Sequence, residues 1–178
     1  MALGGKRIWI PLDYIKQYSN FSESLLEEYF KPVLITVQDT RLKSYLGTDL
    51  FDKIESDMAA DTLTGNYLTL YEDYIADVLL WWFVHDFHFD AVYKVDNGGI
   101  VKRISDDAVD PGKAMELQDR AKRNAVSYST DLVNYLCNNT DLFPEYLTNT
   151  GSDIKPTGVS SITFSNGAKR KDYKQGEA

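Results

Sequence analysis

His85-Asp86-Phe87-His88 is the segment of this 178-residue chain whose residue types come nearest to a chemical site. On a helix His85 and His88 stand three apart and share a face, so with one carboxylate they could chelate a metal. A di-iron centre of the helical-bundle type needs a second Glu-x-x-His segment, and the chain has none. Trp82, Phe83, Phe87 and Phe89 flank the pair, a setting in which histidines serve packing. Asp106, Asp107 and Asp110 lack the alternation, central Gly and terminal Glu of a calcium loop and read as turn residues plus a helix cap. Glu72, Asp73 and Asp77 read as a solvated helix face. Cys137 is the only cysteine. It can form neither an internal disulfide nor a cysteine-based zinc site, and no histidine partner marks it as a nucleophile. Gly-rich phosphate loops, the Gly-x-Ser-x-Gly elbow and a Walker lysine do not occur. The expectation is a protein that is not an enzyme and carries no metal or cofactor.

The elements around these residues are read mainly as helices. Residues 1–21 are expected to be an extended segment. A short helix over Ser24–Phe30 follows Ser22 as cap, and Pro32 is placed at the first position of a further helix that ends at Leu46. Ile35, Gln38, Leu42 and Tyr45 form one stripe on it. Gly47 stops it, and Thr48 caps a helix bearing Leu50, Phe51 and Ile54. Tyr67–Asp90 reads as a long helix whose centre, Val78 to Val84 with Trp82 in it, is apolar all round and therefore enclosed by protein. Asp96-Asn97-Gly98-Gly99 suits a tight turn, which predicts a β-hairpin over Tyr93–Ile104. Asp110-Pro111 opens a last helix with Ala114, Leu117, Ala121, Ala125, Tyr128, Leu132 and Tyr135 on one face. Leu142 to Leu147 folds back as a cap. Beyond Thr150 the chain turns to Gly, Ser, Thr and Lys, and only Val159-Ser160-Ser161-Ile162-Thr163-Phe164 alternates as a strand would. The fold class expected is mainly α: a helical bundle over 22–150 with an inserted β-hairpin at 93–104 and an extended, flexible C-terminal tail over 151–178.

Composition sets outer limits on function. An apolar fraction of 43% and a charged fraction of 26% fit one folded domain. The longest apolar run is too short for a bilayer and the N-terminus too short for a signal-peptide core, so an intracellular chain without membrane contact is expected. Net charge is −8 and unevenly spread. After Thr150 five basic residues face three acidic ones, while the first 150 residues carry a net −10. Such a body repels phosphates and excludes nucleic-acid binding by counterion release, yet it is compatible with DNA passing by without sticking.

Residues 35–54, Ile-Thr-Val-Gln-Asp-Thr-Arg-Leu-Lys-Ser-Tyr-Leu-Gly-Thr-Asp-Leu-Phe-Asp-Lys-Ile, resemble the N-terminal signature of head–tail connector proteins of tailed bacteriophages, also called adaptor or head-completion proteins. That signature is an apolar residue, Gln-Asp/Glu, Leu, then Leu-Gly, then Leu-Phe/Tyr. The resemblance extends over about residues 20–147, through the long aromatic helix, Asn-Gly-Gly-Ile-Val, the Ala-lined helix and Phe-Pro-Glu-Tyr. The long tail is of crAss-like character and points to a ring beneath the portal.

The resemblance implies a structural virion protein, made in the bacterial host cytoplasm and placed at the head–tail junction. Its partners would be further copies of itself in a ring, commonly dodecameric, the portal, adjoining tail or ring proteins, and passing double-stranded DNA. Gln38, Leu42, Leu46, Gly47 and Trp82 would be packing residues. Tyr93, Asn97, Gly98, Ile100 and Val101 of the hairpin, and Val159, Ile162 and Phe164 of the tail, are the interface candidates. Two alternatives stay open at this point: a small metal-dependent enzyme using His85 and His88, and a monomeric helical interaction module.

Overall fold

A computed structural model describes residues 7–19, 21, 27–96, 99–102, 111–148 and 156. It is mainly helical. Helix α1 is Leu12–Tyr18. Helix α2 runs over residues 27–46 and holds a π-helical turn at Gln38–Leu42. Helix α3 is Thr48–Ala60. Helix α4 covers residues 65–92 and has its own π turn at Tyr71–Ile75. Helix α5 is Pro111–Asn138, and a 3₁₀ turn follows at Pro144–Tyr146.

The fold class expected from the sequence needs correction at its β element. The body is helical throughout, and the hairpin expected over 93–104 is not an element of its architecture. Among the described residues, the link between α4 and α5 holds only a pairing of Tyr93–Asp96 with Gly99–Lys102, in register Tyr93↔Lys102 to Asp96↔Gly99, with no third strand beside it. Two four-residue segments bury too little to stand as a layer. Ile104, Asn97 and Gly98 lie outside the described residues, as does all of the expected tail except Pro156, which is buried.

The N-terminal expectation is corrected as well. Residues 12–18 are helical rather than extended, and Trp9, Ile10 and Ile15 are fully buried. Their apolar surface is what ties this short segment down. Ser22 and Ser24 are outside the described residues. Pro32 lies inside α2 rather than at the first position of a helix. The chain tolerates the lost N–H there because Phe30 anchors that turn among Phe21, Phe83 and Phe87, with ring centroids 5.2 to 5.8 Å apart.

Gly47 joins α2 to α3 with φ 77° and ψ 168°, a conformation that side chains bar. Its N–H donates to Lys43 O at 2.9 Å and its carbonyl accepts from Phe51 N at 3.2 Å. It therefore ends one helix and caps the next, the role expected of Thr48. Asp61 closes α3 in the left-handed region, with Thr62 N donating back to Asp57 O at 2.9 Å.

Helices α4 and α5 are an antiparallel pair, as three contacts along their length show. Tyr74 stacks on Tyr135, Trp81 on Tyr128, and Gln118 Nε2 donates to His85 O. Val78, Leu79, Leu80, Phe83, Val84 and Phe87 of α4 are buried, as its all-round apolar middle requires. On α5 the buried line is Ala121, Ala125, Ser129, Leu132 and Leu136, while Leu117 and Tyr128 stand at its edge. Phe143 and Tyr146 close the core from the far end.

Candidate functional site

The motif residues converge on Trp9. Gln38 opens the π turn of α2, and its side chain is 2% exposed. Its Oε1 accepts from Trp9 N at 2.9 Å and its Nε2 donates to Arg7 O at 3.0 Å. From the π turn of α4, Tyr71 Oη donates to Trp9 O at 2.5 Å. The Trp9 ring stacks on Phe51 of α3 at 4.7 Å. A π turn inserts one residue into a helix and re-aims the side chains around it. Here both such turns hold the same backbone unit, so the entering chain is fixed by α2, α3 and α4 together. The Trp9 indole Nε1 is buried and has no acceptor among the described residues.

Val37, Leu42, Leu46, Leu50, Phe51 and Ile54, the apolar positions of the same motif, are all buried in the core. Motif and core are one structure. A buried amide that accepts one backbone bond and donates another sets the register of the segments it joins.

Trp82 is the second node. Its indole Nε1 donates to Ser129 Oγ at 2.9 Å, which ties α4 to α5. The guanidinium of Arg41 lies 4.3 Å over its ring and 3.6 Å from Asp86 Oδ1. His85 Nδ1 is 2.7 Å from that same oxygen. Arg41 and Asp86 thus link α2 to α4 at a half-exposed rim.

The two histidines expected to share a face turn to different partners. His85 faces Asp86 and the edge of Trp82, whereas His88 Nδ1 bonds Val84 O and its ring tilts on Phe21. Among the described residues no group of three or more His, Cys, Asp or Glu could hold a metal ion. Asp106, Asp107 and Asp110 are outside the described residues. Asp77, read as part of a solvated face, instead accepts from Tyr14 Oη at 2.8 Å. Burial and that bond hold the Tyr14 phenol well above its ordinary pKa. Tyr67 is raised in the same way by burial and its 2.7 Å bond to Glu145. Burial also raises the Cys137 thiol, partly offset by Tyr146 Oη at 3.9 Å, which disfavours the thiolate a nucleophile needs.

Of the interface candidates, Tyr93, Ile100 and Val101 fall in the short paired segments, and Asn97, Gly98, Val159, Ile162 and Phe164 are outside the described residues. Sequence reading missed Trp9, Tyr14 and Tyr71. The run Ile8-Trp9-Ile10, with Leu12 and Ile15 at helical spacing behind it, was the signal for the first of these.

Two surfaces also emerge that periodicity did not reveal. One is a cleft of about 380 Å³ between α1, α4 and α5, with Trp81 and Leu117 in its apolar wall and Arg120 and His88 beside them. The other is an acidic end. Residues 48–77 hold eight carboxylates and one lysine, and the 3₁₀ segment is fastened to them through Thr148 Oγ1 to Asp49 Oδ2 at 2.8 Å. Among the described residues, no helix is long and apolar enough to cross a membrane.

Against known proteins, one family model matches, over residues 42–156: DUF6712, a family of unknown function. No curated protein and no solved structure matches the chain.

Proposed function

The chain belongs to the DUF6712 family of unknown function, and from its residues we propose a structural virion protein that forms a ring at the head–tail junction of a tailed phage. The ring joins portal to tail and leaves a channel for DNA. It is not an enzyme in this reading, and it acts by shape and contact. Gln38, Leu42, Leu46, Gly47 and Trp82 keep the subunit rigid.

One observation carries the reading: the Gln38-to-Ile54 signature puts Gln38, Leu42, Leu46, Leu50, Phe51 and Ile54 inside the subunit, with Gln38 and Phe51 holding Trp9. A motif used in this way specifies a building block. Large apolar side chains remain outside, with Met115 66% and Val126 49% exposed on one line of α5. Eleven residues apart, they are three helical turns apart on the same face. The acidic body suits a channel that DNA must traverse without binding, because its net negative charge repels phosphates.

The test is reconstitution with the phage's own portal. The two proteins, mixed and sedimented, should travel together, and images should show an added layer under the portal ring. Separate sedimentation at all concentrations would contradict the proposal.

A further inference from the structure

We infer that copies of this chain join head to tail through one repeated contact, in which the Asp141-Leu142 turn of one copy seats in the α1–α4–α5 cleft of the next. The contact rests on the ring reading above and supplies the joint that reading requires.

The cleft has the shape and chemistry of a receptor for an apolar side chain beside a carboxylate. Trp81, Val84 and Leu117 give it an apolar wall, and Leu117 is 41% exposed at its rim. Arg120 lines the same cleft, and among the described residues no carboxylate forms an ion pair with it. The first half of α5 holds Lys113, Lys122 and Arg123 besides Arg120, against Glu116 and Asp119, a net positive stretch on an acidic body.

The complementary shape lies at the other end of the molecule. Leu142 N donates to Asn139 O at 3.0 Å, closing a turn that holds Asp141 and Leu142 at the surface. Leu142 is 39% exposed and Leu147 56%, two apolar side chains on the acidic end. Leucine with an adjoining aspartate matches an apolar wall with an adjoining arginine.

Distance makes this a contact between copies. Eighteen residues of straight helix separate Arg120 from Asn138, about 27 Å at 1.5 Å per residue. The turn therefore cannot reach the cleft of its own chain. Because knob and cleft are different surfaces, repetition of the contact generates a ring when the rotation closes.

The test uses the full chain and charge reversal at two exposed side chains. At a concentration where the unaltered protein is assembled, Arg120→Glu alone and Asp141→Arg alone should each reduce the assembled fraction at least tenfold. The combination of the two should restore it. Circular dichroism should be the same for all four proteins, and Leu142→Asp gives an independent disruption of the turn. Single variants that assemble like the unaltered chain overturn the contact and leave the ring reading standing. A charge-sensitive complex of only two copies supports the contact and overturns the ring. An unaltered chain that stays monomeric both alone and with the portal overturns both.

Discussion

Gln38 and Trp9, 29 positions apart in sequence, are joined by a buried hydrogen bond of 2.9 Å from the Trp9 amide to the Gln38 side chain. The bond fixes where the N-terminal segment enters the bundle. Replacing Gln38 with Leu keeps the volume and strands the Trp9 N–H and the Arg7 carbonyl. Leaving such groups unpaired costs about 1–3 kcal/mol. Chemical denaturation should show a lower midpoint with an unchanged slope. No change in midpoint would mean that the entering segment is not held by Gln38.

Trp82→Ala should cost about 3–5 kcal/mol, the range for a large aromatic removed from a core. It also strands Ser129 Oγ and removes the ring beneath Arg41. Trp82→Phe keeps most of the packing and should cost distinctly less. A loss below about 0.5 kcal/mol for the alanine variant, the scale of surface substitutions, would place Trp82 outside the core.

Much of this was legible before the structure. The all-apolar run Val78 to Val84 could only be an enclosed helix, and Leu-Gly at 46–47 could only be a stop. Two things were hidden. Pro32 suggested a boundary because its ring opposes a helix locally, whereas Phe30 packing against α4 outweighs that preference. The short strand-like segments after Val92 showed strong turn chemistry at Asn97-Gly98, yet turn chemistry reports a reversal and not a layer. The Trp9 site was harder still, since its hydrogen bonds join positions tens of residues apart and two π turns aim them. Periodicity carries no mark of either.

Gly47→Ala should destabilise the protein by about 1–3 kcal/mol, because φ 77° with ψ 168° is open only to glycine. The loss should be seen in thermal unfolding as a lowered Tm. An alanine variant as stable as the parent would show that α2 and α3 can meet at another angle.

Stability should fall as pH rises above about 10. Tyr14, Tyr67, Tyr71 and Tyr146 all have raised phenol pKa values in the folded chain, chiefly through burial. Their ordinary value is 10.0. Above it the unfolded chain releases these protons while the folded chain keeps them, so the unfolded state binds fewer protons and each further rise favours unfolding. The contribution is complete below pH 10 and disappears toward the raised folded values. Denaturation midpoints measured at pH 8 and pH 11 should show the drop, and Tyr14→Phe should lessen it. Equal midpoints would show that these phenols titrate as they do in the unfolded chain.

Ring assembly is tested by the mass of the purified protein in light scattering, paired with stained micrographs of the same sample. A connector subunit should give closed rings whose mass is a fixed multiple, near twelve, of the 20.3 kDa chain. A single 20.3 kDa species at every concentration, with no ring in the images and none on adding the portal, would contradict it.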